Sequence, residues 1–261
     1  MSAFLRNVGK VSNAEAVSLK TRFGRRRVGG KLFRNLGPLR AASASTGGDP
    51  YFSSVVSLLH FDGTDASTTF SDAFRTWTAN GNAQIDTAQS VFGGASGLSD
   101  GTGDSISTAS SANFDFGSGD FTVECRMRFA ATIPIGAGYI ILADAANDKS
   151  ISFNGTDVKI QVIASVGSVY SDVLVYLINT WYVWAVSRVG NTLYFFQDGV
   201  GIGTADVTGL SFNFSGSGTY MLGQQNGNNS LNGHEDEGRV TKGVGRYNAN
   251  YTVDTAAFPD S

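Results

Sequence analysis

Nine consecutive residues, Phe121 to Phe129, alternate strictly between apolar and polar. Phe121, Val123, Cys125, Met127 and Phe129 fall on one side, and Thr122, Glu124, Arg126 and Arg128 on the other. A period of two predicts a strand with one face in a core and one toward solvent. Cys125, on the apolar side, reads as a small core residue. The same signal recurs from Trp181 to Ala205. There Gly190-Asn191 and Asp198-Gly199 separate three strand-like runs, which predicts an antiparallel meander. After Asn154-Gly155, Val158, Ile160 and Val162 alternate with Lys159 and Gln161. Shorter strands are expected at 55–61, 105–108, 139–143, 150–153, 219–222 and 238–241. No segment keeps a helical period for three turns. With 33 glycines and only four prolines, the pattern predicts an all-β, antiparallel two-sheet sandwich. A charged fraction of 16% excludes a charge-rich disordered chain and a long coiled coil. No apolar run reaches the ~18 residues that span a bilayer, so no membrane helix is expected.

Charge divides the chain. Residues 1–45 hold ten Lys and Arg against one acid, Glu15, a net +9. The other 216 residues hold nine Lys and Arg against 21 acids, a net −12. Glycines at 24, 29, 30 and 37 and Pro38 interrupt any helix in the first part, and Arg25, Arg26 and Arg27 repel one another. Such a segment cannot offset an ordering cost of about 1–2 kcal/mol per residue unless a partner supplies contacts. The reading is therefore an anchoring arm over 1–45, a small-residue linker over 46–50 and a β domain over 51–261. Arg22, Arg25, Arg26, Arg27, Lys31, Arg34 and Arg40 are the expected partner-anchoring residues. A solvated tail and an organellar targeting peptide are the competing readings of the arm. No secretory apolar core follows Arg6. Nucleic acid is disfavoured as a partner, because the acidic body repels phosphate.

Candidate chemistry is sparse. One cysteine excludes an internal disulfide framework and a multi-cysteine zinc site. His234-Glu235 lacks a second histidine four residues on, and no glycine-rich stretch ends in a phosphate-loop Lys. Glu235-Asp236-Glu237 is an acidic run in which Glu235 and Glu237 would share a strand face, but it lacks a longer alternating series of acids. Asp62-Gly63-Thr64-Asp65 and Asp100-Gly101-Thr102-Gly103-Asp104 are oxygen-rich loops. Calcium is their candidate ion, and hairpin turns are the simpler reading. No catalytic residue, cofactor or metal ligand is expected. Trp77, Tyr170, Tyr220 and Tyr247 are rings outside the clearest core strands. The amide run from Gln224 to Ser230 lies close to Tyr220, which makes Tyr220, Gln224 and Asn226 the candidate glycan contacts.

A series of motifs adds a resemblance. It includes Leu58-Leu59-His60-Phe61-Asp62-Gly63-Thr64, Phe92-Gly93-Gly94-Ala95-Ser96 and Phe114-Asp115-Phe116-Gly117-Ser118-Gly119-Asp120. It continues through Trp181-Tyr182, Gly190-Asn191-Thr192-Leu193 and Asp198-Gly199. It ends with Asp236-Glu237, Arg239-Val240-Thr241-Lys242-Gly243-Val244-Gly245-Arg246-Tyr247 and Phe258-Pro259. In this order the motifs resemble the laminin-G-like, concanavalin A-like jelly-roll domain, in the version found in bacteriophage virion proteins. The pattern is broken at Ser99, at Cys125-Arg126, and at Glu235 and Gly238. The last break predicts either a more exposed strand near Glu235 or a bulge at Gly238. The resemblance implies a virion structural protein, a capsid-decoration, tail or collar component present in several copies of a symmetric assembly. On this reading the arm binds neighbouring virion proteins and the isolated body binds no glycan strongly. A host-glycan-binding module of a phage tail is the alternative. An enzyme is not expected.

Overall fold

The computed structural model describes residues 48–261 apart from 136, 137, 147, 226 and 227. The seven anchoring cations of the arm lie outside the described residues, as do residues 46 and 47 of the linker. Among the described residues no helix is long and apolar enough to cross a membrane.

Apart from two 3-10 turns at Phe52–Ser54 and Ala112–Phe114, the regular structure among the described residues is antiparallel strand. The chain begins with β1 (Val55–Leu59), β2 (Thr69–Asp72), β3 (Arg75–Asn80), β4 (Gln84–Asp86), β5 (Ser96–Asp100) and β6 (Ser105–Ala109). It continues with β7 (Asp115–Gly117), β8 (Phe121–Phe129), β9 (Gly138–Asp144), β10 (Ser150–Asn154), β11 (Lys159–Ile163) and β12 (Ser168–Tyr170). The last six are β13 (Trp181–Val189), β14 (Thr192–Gln197), β15 (Val200–Asp206), β16 (Phe212–Asn213), β17 (Gly218–Met221) and β18 (Asn232–Lys242). One layer runs β12-β11-β10-β9-β17-β6-β3-β2, and the other runs β1-β18-β8-β13-β14-β15. The layers join at one side through a single residue pair, Leu59 with Asp72. At the other side the Asp172 N–H donates to the Ile202 carbonyl at 2.8 Å. The expected sandwich is thus nearly closed on itself, which leaves few free strand edges.

The predicted meander is β13-β14-β15, with its turns at Gly190-Asn191 and Asp198-Gly199. Gly190 and Asp198 take the left-handed backbone that these two-residue turns require (φ 59° and 51°). Val158 departs from the expectation. It also has positive φ, 53°, so it belongs to the turn, and β11 starts one residue later.

The apolar face of β8 is buried as the alternation requires, with Phe121, Val123, Cys125, Met127 and Phe129 each at most 1% exposed. Rings stitch the two layers together. Phe153 of β10 meets Phe129 and Trp184 edge-on, with centroids 5.0 Å apart in each case.

The polar face of β8 departs from the expectation. Thr122, Glu124 and Arg126 are buried, at 0%, 2% and 3% exposure. The chain beyond β18 crosses back over this face as a strap. Arg246 N–H donates to Thr122 Oγ1 at 2.8 Å, and Tyr247 O–H to Glu124 Oε2 at 2.8 Å. Arg126 donates to the Asp254 carbonyl, and the Phe258 ring lies 3.7 Å from the Arg239 guanidinium carbon. Asp49, placed by the sequence in a linker, is built into this layer. Both its carboxylate oxygens accept from Arg246, at 2.9 and 2.6 Å, and its N–H donates to the Ser261 carbonyl. Alternation reports which side chains share a face, but it does not report whether a later segment covers that face.

His60 holds the end of the strap. Its Nδ1–H donates to Glu237 Oε1 at 2.8 Å and its Nε2–H to Asp260 Oδ1 at 3.0 Å. The bond to Glu237 outweighs the opposing effect of burial, and with Asp260 it raises the imidazole to about 9. A folded-state pKa above the unfolded value of about 6.5 means that this stabilisation is complete below pH 6.5 and is lost as pH rises through about 9. His60→Gln is expected to cost on the order of 1–3 kcal/mol at pH 6 and much less at pH 10. Urea unfolding of both proteins at the two pH values measures the difference. An equal cost at both would show that the imidazolium does not hold the strap.

Candidate functional site

The outer face of the first layer carries no such strap. Register fixes what lies there. One row across the strands reads Tyr220 (β17), Ala143 (β9), Ser150 (β10), Ile163 (β11) and Ser168 (β12). The next reads Ile140, Ser152, Gln161 and Tyr170, and a third Gly138, Asn154 and Lys159. Their sequence neighbours Ile151, Phe153, Ile160 and Val162 point inward and are fully buried. Apart from Ile140, the outward set on β9 and β10 is small or polar, which leaves a trough between taller flanks.

The trough forms a cleft of about 210 Å³ whose lining includes Ser150, Ser152, Asn154, Gln161, Gln224 and Asn229. Gly138 forms part of its floor, where a Cβ would stand 2.2 Å from the Phe153 carbonyl oxygen, so only glycine fits. The amides are pre-aligned. Asn154 Nδ2–H donates to Gln161 Oε1 at 3.1 Å, and Gln161 Nε2–H donates to Tyr170 Oη at 3.0 Å and Ser168 Oγ at 3.2 Å. Tyr170 ends this chain with 39% of its surface exposed. A half-exposed ring beside ordered amides and hydroxyls can stack on one face of a polyol and hydrogen-bond its edges.

The candidates read from sequence divide here. Gln224 lines the cleft. Tyr220 is half-buried on the same outer face, in register with Ser150 through Ala143. Asn226 lies outside the described residues. Trp77 is a core residue, 3% exposed, with its indole N–H donating to Asp72. Tyr247 belongs to the strap, where it stacks on Tyr251 at 3.6 Å. Ser152, Asn154 and Gln161 also line the cleft and were not among the sequence candidates, although the alternation of β11 already put Gln161 on the outer face.

In the Asp100–Asp104 loop the carboxylates serve as turn acceptors. Asp104 takes the N–H groups of Asn82 and Asp100, and Asp100 takes those of Thr102 and the Asn82 side chain. Among the described residues no group of three or more His, Cys, Asp or Glu side chains is placed to hold a metal ion.

Comparison with known proteins places this geometry. A family model for the concanavalin A-like lectin/glucanases superfamily matches residues 100–244, and the chain belongs to that superfamily. No curated protein matches it. Among solved structures it is similar to the binding domain of Paraclostridial Mosquitocidal Protein 1, with 14% identity and a TM-score of 0.56 over 74% of this chain and 50% of that one. It is similar to domain 4 of AbnA, a GH43 extracellular arabinanase from Geobacillus stearothermophilus solved with arabinotriose. There the identity is 12% and the TM-score 0.57, over 73% and 93% of the two chains. The botulinum neurotoxin serotype G binding domain gives 12% and 0.52, over 73% and 48%. The chain thus spans about half the length of the two toxin domains, and at these identities the likeness is one of fold.

Glucanase chemistry needs two carboxylates facing a sugar, and the run Glu235-Asp236-Glu237 does not supply them. The bulge expected at Gly238 is present. The register of β18 on β8 shifts between Asp236 and Arg239, and Glu237 has φ 53°. This puts Glu235 and Glu237 on opposite faces instead of the shared face that simple alternation predicts. Glu237 turns to His60 and to the Phe258 N–H, while Asp236 accepts from the N–H groups of Val91 and Phe92. Burial raises Asp236 to about 6. Glu235 points into the core beside Phe61 and Met221, and neither of its oxygens has a hydrogen-bond partner. All three are at most 1% exposed, so the strand near Glu235 is bulged and not exposed.

Burial, then the charge of Asp236, pushes the Glu235 carboxyl well above the usual carboxylate range, so the folded chain holds this proton to higher pH than the unfolded one. The unfolded group ionises above about pH 4.3, and the unfolded chain then binds fewer protons than the folded one. Stability from this site therefore falls as pH rises past that point. Glu235→Met, of similar shape, is expected to stabilise by about 1–3 kcal/mol at pH 7 and by less at pH 4. Chemical denaturation at both pH values reads the gain, and destabilisation at pH 7 would show that the carboxyl has a partner in solution.

Proposed function

We propose that the body is a non-catalytic carbohydrate-recognition domain and that the chain is an attachment protein. The carrying observation is the cleft on the outer face of the first layer. Small hydroxyl side chains at its floor, Ser150 and Ser152, lie beside the hydrogen-bonded amides of Asn154 and Gln161, with Gln224 in the lining and the Tyr170 ring alongside. The superfamily and the binding domains among the similar structures support the reading, and one of those structures holds arabinotriose. The cleft moves the weight toward the alternative drawn from sequence, away from a body that binds no glycan.

The test is a glycan array with the full chain, repeated with and without calcium because the loop carboxylates made calcium a candidate. Gln161→Ala and Tyr170→Ala are expected to reduce the strongest signals at least tenfold, since each removes a contact of about 1.4 kcal/mol or more. Both positions are on the surface, so thermal unfolding of the variants stays near that of the parent. Strong binding that both variants retain would sink the assignment of the cleft.

A second reading concerns the assembly. The +9 of residues 1–45 beside the −12 of the rest favours an arm that binds acidic surfaces of neighbouring proteins. On this reading the chain is a bacteriophage virion component, a capsid-decoration, tail or collar protein, displayed in several copies. Deleting residues 1–45 is expected to leave a folded protein that no longer co-purifies with particles. Normal incorporation of the shortened chain overturns the role of the arm.

A further inference from the structure

A second cleft adjoins the first. It holds about 240 Å³ and is lined by Ala131, Thr132, Pro134, Tyr139, Ser230 and Asn232, among others. The two clefts share Gly138 and Asn229 in their walls. Asn229 is held firmly at this junction. Its Oδ1 accepts the Gly138 N–H at 3.0 Å, its carbonyl accepts the Ile140 N–H at 3.3 Å, and its backbone is left-handed at φ 52°. The junction is therefore a fixed low wall between two basins.

Size and charge say what fits. Each basin alone is smaller than the roughly 300 Å³ at which small-molecule sites begin, whereas together they offer about 450 Å³. None of the side chains lining either basin carries a charge. The body around them has a net charge of −12, which disfavours an anionic ligand. The first basin is lined by hydroxyls and amides. The second adds apolar surface from Ala131 and Pro134, suited to the apolar face of a sugar ring.

We infer that the two basins form one track for a linear, uncharged oligosaccharide, with successive sugars on either side of Asn229. The inference rests on the carbohydrate reading of the first cleft and adds to it the chain length and neutrality of the ligand. A monosaccharide fills one basin only. Two net hydrogen bonds per added sugar correspond to roughly tenfold in affinity until the track is full.

The experiment titrates the full chain by calorimetry with cello-, xylo- and malto-oligosaccharide ladders of one to about six units, and with an acidic galacturonate ladder. Affinity for at least one neutral ladder is expected to climb roughly tenfold between one and three units and then to level off. The acidic ladder is expected to stay at the level of its monomer. Ser152→Trp in the first basin and Ala131→Trp in the second should each flatten the climb. Ser152→Ala and Thr132→Val, which remove a hydroxyl without adding volume, repeat the test where a tryptophan impairs folding, and each should reduce the climb at least twofold. Affinity independent of length, a climb sensitive to only one basin, or a preference for the acidic ladder overturns the shared track while leaving carbohydrate binding in place. Binding to none of the ladders overturns both.

Discussion

The fold depends on a charge that is costly to bury. Glu124 lies on the central strand β8, and Arg239 stands opposite it on β18, with Nε donating to Oε1 at 2.9 Å. Both are nearly inaccessible to water. A buried ion pair is tolerated only when its remaining lone pairs and protons find partners. Here Tyr247 donates to the second Glu124 oxygen, and Asp49 accepts from Arg239 and clamps Arg246 through both carboxylate oxygens. Burial works against the Arg239 charge, but Glu124, Tyr247 and Asp49 together favour it and raise its pKa. The residues that complete the network come from either end of the body, Asp49 before β1 and Arg246 and Tyr247 after β18. Closing the network therefore ties the segment before β1 to the strap that follows β18.

That closure decides which surface remains for recognition. The outer face of the second layer is occupied by the strap. The gap between β12 and β15 is crossed by the extended residues 171–178, whose Leu174 and Tyr176 pack inward while Val173, Val175 and Leu177 face out. The outer face of the first layer remains open. Its inward rows carry the large aliphatic and aromatic side chains of the core, so its outward rows are free to be small and polar. A trough results because the outward positions of β10 carry only the short hydroxyl side chains of Ser150 and Ser152 beside Gly138 and Ala143 of β9.

How much of this was legible in the sequence follows from range. The strand faces of β8, the meander from Trp181 and the bulge near Gly238 depend on neighbours in the chain or on one broken motif, and all were readable. The burial of Glu124 and Arg126 was not, because the segment covering them lies more than a hundred residues downstream. The split between Glu235 and Glu237 follows from one extra residue at the bulge, since a shift of one position sends a side chain to the other face. Tyr220 and Gln224 were found as a ring and an amide close in sequence. Ser152, Asn154 and Gln161 carry no local mark beyond alternation, and only the register of β9, β10 and β11 brings them to one cleft.

An open, uncharged cleft of hydroxyls and amides has an energetic consequence. Each hydrogen bond to a sugar replaces one to water, so its net contribution is about 0.5–1.5 kcal/mol. Without a charge to steer encounter or a deep apolar pocket, a single domain binds weakly. Weak sites become effective when several are presented together, because linkage turns later binding events into intramolecular ones and multiplies affinity by about 10²–10⁴ without new contacts. On the proposed reading, recognition on one layer of the body and anchorage through a separate basic segment form the arrangement that such presentation calls for. On that reading the buried ion network, which ties both ends of the body to β8 and β18, would let each copy offer its cleft without first reorganising.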